Sequence, residues 1–150
     1  MFVLIVGCGR AGSALAKNLL ADGHTVSVLD ESAESHRLLD VDLETNWEDA
    51  GGMFTVGTAL EIDALIEAGI EQADAFVAGT NGDNTNLVIA QIAQRRFNVP
   101  KVVVRVLDPR RADWYAEQGL HTICPTQAGI DMLTAAVRGD TDSNPLVETV

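Results

Sequence analysis

The chain has 150 residues, 47% hydrophobic and 21% charged, a composition that fits one globular domain with a real core and excludes a two-domain enzyme. Ten lysines and arginines stand against 22 aspartates and glutamates, and the resulting formal charge of −12 repels a phosphate backbone and argues against general nucleic-acid binding. The apolar run over residues 2–6 is far short of the roughly 20 residues of a membrane span and carries no basic leader, so neither direct membrane insertion nor secretion is expected, and a cytoplasmic location is.

Residues 2–6 are apolar throughout, as in a strand covered by helices on both faces. A glycine-rich turn leads from it into a helix over 11–22. The pattern then repeats: a strand at 25–29 with a helix at 33–40, a strand at 53–56 with a helix at 59–68, and a strand at 75–78 with a helix at 85–97. Two further units follow, a strand at 102–106 with a helix at 109–118 that opens on Pro109, and a strand at 122–124 with a helix at 127–138. Gly23, Gly69, Gly119 and Gly139 stand where helices close. Six such units with right-handed crossovers predict an α/β fold, a doubly wound (Rossmann) six-stranded parallel sheet with helices on both faces, over residues 1–138. Residues 139–150 have the composition of a linker-like C-terminal tail. In such a sheet ligands sit beyond the carboxyl ends of the strands, which directs attention to the loops after the first four.

The first of those loops is Gly7-Cys8-Gly9-Arg10-Ala11-Gly12, a Gly-x-Gly-x-x-Gly run between strand and helix. Gly7 permits the tight turn, Gly9 leaves room for a pyrophosphate against the backbone, and Gly12 lets the helix pack closely on the strand. The helix start offers unpaired N–H groups and partial positive charge to phosphates, and the Arg10 guanidinium adds a bidentate donor. Asp30 closes the second strand 18 residues after Gly12, near the spacing of about 20 for a carboxylate that holds ribose hydroxyls. With Glu31 beside it, a 2′-phosphate is repelled and NAD-type or adenosine ligands are favoured over NADP. The competing reading has the glycines serving close packing, Asp30 and Glu31 capping the next helix, and Arg10 facing solvent.

Catalytic partners are not evident. Tyr115, the sole tyrosine, has Gly119 where a Tyr-x-x-x-Lys pair would put its lysine, and sequence puts no carboxylate beside His24, His36 or His121. Cys8 and Cys124 are the only cysteines, so neither a zinc site nor a disulfide scaffold is indicated. Charge is uneven: Arg37 is the only lysine or arginine between Asp22 and Asp74, whereas Arg95, Arg96, Lys101, Arg105, Arg110 and Arg111 fall in one stretch. A nucleotide site with no chemistry to perform suggests a sensor.

Several segments together resemble the N-lobe of regulator-of-potassium-conductance (RCK) domains, also called KTN or TrkA-N domains. The resemblance spans about residues 1–138 and rests on the glycine run with Asp30, Gly57-Thr58-Ala59, the run from Ala68 to Ala75, Thr80, Thr85-Asn86-Leu87, Val99-Pro100, Arg105-Val106, Asp108-Pro109 and Cys124-Pro125-Thr126. It implies a non-catalytic regulatory subunit that binds NAD(H) or ATP, ADP or AMP and gates a potassium channel or transporter. Its partners would be a membrane-embedded transport subunit and further copies of itself, as a homodimer or ring, held at the inner face of the cell membrane. The resemblance implies that Gly7, Gly9, Arg10, Ala11 and Gly12 hold phosphates, that Asp30 with Glu31 holds ribose, and that Thr58 and Ala59 lie beside adenine. Gly79 and Thr80 would face the ligand, and Arg105 would lie near the phosphates or a dimer contact.

Two departures stand out. Thr58 replaces an aspartate common in the family, and Thr126 replaces an acidic residue that some members use with a divalent cation. The family's usual C-lobe is not in this sequence. The alternative reading is a cofactor-binding fragment of an NAD-dependent oxidoreductase; a third is a structural subunit with an empty pocket. Candidate dimer surfaces are Leu87, Val88, Ile89, Ala90 and Ile92, and Trp114 with Tyr115.

Overall fold

The computed structural model describes residues 1–140, so the tail expected over 139–150 lies, past Asp140, outside the described residues. Six parallel strands form one sheet in the order β3-β2-β1-β4-β5-β6. They are β1 (Phe2–Val6), β2 (Thr25–Asp30), β3 (Met53–Val56), β4 (Ala75–Ala78), β5 (Lys101–Arg105) and β6 (His121–Ile123). The chain winds outward from β1 through β2 to β3, then returns to set β4 on the other flank of β1, with Val3 paired to Val26 on one side and Ala75 on the other. That reversal opens a crevice above the carboxyl ends of β1 and β4, the switch point of a doubly wound sheet.

Strand periodicity sorts the core into two layers. Leu4 and Val6 point to one face with Leu29, Phe76 and Ile89, while Val3 and Ile5 point to the other with Ala16, Val28 and Trp47. The helices on these faces are α1 (Arg10–Ala21), α2 (Arg37–Asp40), α3 (Ile62–Glu67), α4 (Asp83–Gln91), α5 (Pro109–Glu117) and α6 (Pro125–Arg138).

Boundaries depart from expectation where side chains serve something other than the helix. The helix predicted over 59–68 begins only at Ile62, because Thr58 to Glu61 form a turn closed by the Glu61 N–H on the Thr58 carbonyl at 2.9 Å. Residues 33–36 are a 3₁₀ turn ahead of the single α-helical turn of α2. α4 starts two residues earlier than predicted and continues as a π-type turn over Ile92–Arg96. α6 starts at Pro125, with the Cys124 sulfur accepting the Gln127 N–H at 3.5 Å. β2 gains Asp30, and β5 and β6 each sit one residue earlier than read.

The connection over 41–52 has no regular element and is anchored by Trp47, which is fully buried and donates Nε1–H to the Met53 carbonyl at 3.0 Å. Of the candidate dimer surfaces, Ile89, Ala90 and Tyr115 are core, while Val88 and Trp114 are exposed. No helix among the described residues is long and apolar enough to cross a membrane.

Candidate functional site

Three strand ends are fastened by one hydrogen bond each beyond the regular pairing. Gly7 N–H donates to the Leu29 carbonyl at 2.9 Å, Gly57 N–H to the Asp30 carbonyl at 3.0 Å, and Gly79 N–H to the Val6 carbonyl at 2.8 Å. Their loops diverge from there and leave a cleft of about 760 Å³, within the usual range for small-molecule sites.

The floor is the glycine loop. Gly7 has φ +107°, and a Cβ there would lie 2.6 Å from the Gly79 carbonyl oxygen, so no other residue lets the first and fourth strand ends approach this closely. Gly12 is closer still to its neighbour: a Cβ would fall 1.9 Å from the Gly7 carbonyl oxygen. Gly9 differs from both, since its φ of −87° suits any residue and a Cβ would meet nothing within 4 Å. What a glycine contributes at Gly9 is therefore open space on the cleft side. Behind it, α1 has no side-chain cap and no acid in its first turn, and the amides of Arg10, Ala11 and Gly12 have no acceptor among the described residues. Unpaired amides at a helix start form an anion site.

Asp30 closes one side. One carboxylate oxygen accepts the Cys8 N–H at 2.7 Å, and the other accepts the Ser32 N–H at 2.8 Å and the Ser35 hydroxyl at 3.4 Å. The carboxylate thus locks the glycine loop to the end of β2 and also steadies the following turn, so part of the competing capping reading holds for Asp30. Glu31 is exposed on the same rim. Burial, and then the neighbouring Asp30 charge, push the Cys8 thiol up to about 11, and its sulfur donates to the Ser35 carbonyl at 3.3 Å. Cys8 is a buried residue of the cleft wall.

Beyond Asp30 the wall is made by Thr58 and Ala59; opposite, it is made by Gly79, Thr80 and Arg105. Arg105 Nη1 donates to the Gly79 carbonyl at 3.3 Å, while its Nε is buried with no partner. A buried guanidinium N–H left free beside an open anion site suits a phosphate or hydroxyl oxygen. Arg10 is exposed at the mouth.

Every sequence-derived site residue lines this cleft except Gly12, which sits behind it and serves helix-to-strand contact. Among the residues that sequence reasoning passed over as site members are Ser32, Ser35, Asn81, Gly82, Thr85 and the buried Asn86 behind the wall. Asn86 stood in a motif, but nothing local marked it as buried.

One reading needs correction. His36 does have carboxylate partners, with Nδ1 3.5 Å from Asp40 and Nε2 2.5 Å from Glu48. Glu48 is brought there by the loop that Trp47 anchors, a tertiary effect with no local sequence signature. Trp47 N–H also donates to the Asp40 carboxylate at 2.8 Å. The three ligand-type side chains lie within 4.8 Å of one another, outside the cleft.

Fold and cleft define a doubly wound α/β domain with a glycine-lined cleft and open helix-start amides at its switch point. The TrkA-N domain family model matches residues 3–125, and the chain belongs to that family. It is 41% identical over 133 residues to the Trk system potassium uptake protein TrkA of Streptomyces coelicolor, covering 89% of this chain and 56% of that protein. The chain thus spans about half the length of that relative. Two solved structures share the fold: GsuK bound to ADP, with TM-score 0.76 and 20% identity over 93% of this chain and 34% of that one, and the GsuK channel bound to NAD, with TM-score 0.73 and 20% identity over 93% and 23%.

Proposed function

We propose that this chain is the nucleotide-sensing N-lobe of a regulatory subunit that binds NAD(H) or an adenine nucleotide (ATP, ADP or AMP) and gates a potassium channel or transporter. The observation that carries the reading is the pairing of open amides at Arg10, Ala11 and Gly12 with the Asp30 carboxylate at the neighbouring strand end. A diphosphate-linked adenosine meets both: phosphate oxygens accept from the α1 amides and from Arg10, a ribose hydroxyl donates to the remaining lone pair of the Asp30 oxygen that holds Cys8, and the base lies along Thr58 and Ala59. Glu31 and Asp30 oppose a 2′-phosphate. The names of the matched relatives support the transport assignment, and the ADP and NAD in the GsuK structures support the ligand class.

Against the oxidoreductase reading, the only tyrosine is buried with its hydroxyl donating to the Asp83 carbonyl at 2.7 Å, and His36 lies outside the cleft. Self-association is proposed through α6, which has no buried residue and exposes Ile130, Leu133 and Val137 along one side. The subunit works on the cytoplasmic face of the membrane through its transport partner. Gating requires that the ligand bind one conformational state better than the other, a coupling of about 1 to 3 kcal/mol in typical cases. Potassium flux through the reconstituted partner, measured with and without nucleotide for wild type and Asp30→Ala, tests the assignment. The expected result is a nucleotide-dependent flux that Asp30→Ala abolishes; flux indifferent to nucleotide contradicts it.

A further inference from the structure

Asn86 is one of three buried polar side chains among the described residues and is fully enclosed at the start of α4. Its two N–H donors go to the Thr80 carbonyl and the Arg105 carbonyl, each at 2.9 Å. Its oxygen accepts the Thr80 N–H at 3.0 Å and contacts the Thr80 hydroxyl at 2.6 Å. Two carbonyls must face the NH₂ group and one N–H must face the oxygen, so the amide has only one satisfied orientation. The Thr80 hydroxyl therefore has to donate its proton to Asn86, a contact far shorter than the 3.4 Å to the Gly82 carbonyl. One lone pair of that hydroxyl then accepts the Gly82 N–H at 3.2 Å. The other lone pair accepts from no group among the described residues, so Thr80, which lines the cleft, has acceptor capacity left and no proton to give.

We propose that Asn86 is a positioning residue that fixes Thr80 as a hydrogen-bond acceptor, so that the Thr80 hydroxyl prefers a ligand group that donates, such as a hydroxyl of a second ribose, and leaves phosphate oxygens to the α1 amides and the Arg105 guanidinium. Topology places the preference. Asp30 and Thr58 stand over β2 and β3, the glycine loop stands over β1, and Thr80 stands over β4 on the other flank. A pyrophosphate centred on the α1 amides with its adenosine toward Asp30 projects whatever it carries beyond the second phosphate toward Thr80. NAD carries a ribose there and ADP carries nothing. The inference rests on the nucleotide reading of the cleft and refines it.

The test titrates NAD and ADP by calorimetry, at one ionic strength, into wild type, Thr80→Val, Thr80→Ser, Asn86→Ala and Asn86→Asp. Loss of one neutral hydrogen bond predicts NAD weakened about three- to tenfold in Thr80→Val and Asn86→Ala with ADP unchanged. Thr80→Ser restores the hydroxyl and the NAD affinity. Asn86→Asp keeps the acceptor for the Thr80 proton while losing both donors and adding a charge that opposes the more anionic ADP, so it lowers stability yet retains the wild-type NAD affinity; a merely structural Asn86 would not separate these two readouts. Should Asn86→Ala not fold, the remaining three variants decide. A ratio unmoved by Thr80→Val, or NAD and ADP falling together, overturns the role given to Asn86. Wild-type protein that takes up neither ligand overturns the nucleotide reading itself.

Discussion

The Asp30 carboxylate accepts the Cys8 N–H at 2.7 Å, tying the loop at the end of one strand to the terminal residue of the next. In the proposed reading structure and recognition are joined in that one side chain, because the carboxylate that lines the cleft also holds the glycine loop that leads into α1. Asp30→Ala is expected to lower nucleotide affinity by more than its ribose contact alone. A charge-assisted hydrogen bond contributes about 1.5 to 3 kcal/mol, or roughly 10- to 150-fold in affinity, and calorimetry with ADP reads the loss. Because Glu31 shares that rim, NADP should bind more weakly than NAD, and Asp30→Asn should narrow the gap.

Gly9 and Gly12 predict opposite phenotypes. Gly12→Ala drives a methyl into the Gly7 carbonyl, where a Cβ would lie at 1.9 Å. Overpacking of this kind costs about 1 to 3 kcal/mol, read as a lower midpoint in urea unfolding. Gly9→Ala meets no protein atom within 4 Å and should leave the midpoint unchanged while weakening nucleotide binding. Equal stability losses in both variants would contradict the assignment of space above Gly9 to a ligand.

The six strands and the cleft were readable because alternation, helix-closing glycines and the Gly-x-Gly-x-x-Gly run are local signals. Ala59 and Leu60 misled for a physical reason: they carry helix-like apolarity but sit in the turn beside the cleft, so the helix predicted over 59–68 loses its first turn. Asn86, Trp47 and the His36–Glu48 contact were not readable as structure. Each depends on a partner brought close only by the fold, as in the Asn86 bond to the Arg105 carbonyl across 19 residues.

Trp47 and Glu48 are adjacent yet predicted to differ sharply. Trp47→Ala empties a fully buried site and removes the bond to Met53, costing about 3 to 5 kcal/mol. Glu48→Gln alters a partly exposed hydrogen-bonded contact with His36 and should change stability by about 1 kcal/mol or less. Urea unfolding of the two variants side by side checks the contrast.

Cys8 gives a pH prediction. Its thiol is raised from 9.0 to about 11 in the folded chain, so the native state holds this proton more tightly than the unfolded state does. The associated stability is complete below pH 9.0 and is lost as pH rises toward about 11. Stability measured across that window should fall more steeply for wild type than for Cys8→Ala, the difference isolating this thiol from other groups that titrate there. In the native protein Cys124, which is partly exposed, should react with iodoacetamide ahead of Cys8.

Isothermal titration of NADH, NAD, ATP, ADP and AMP into wild type and into the double variant Gly9→Val/Asp30→Ala addresses the central claim most directly. Submillimolar binding of at least one of these nucleotides by wild type, abolished in a double variant that remains folded by circular dichroism, is the predicted result. No submillimolar binding of any of them, or equal uptake by the double variant, would contradict it.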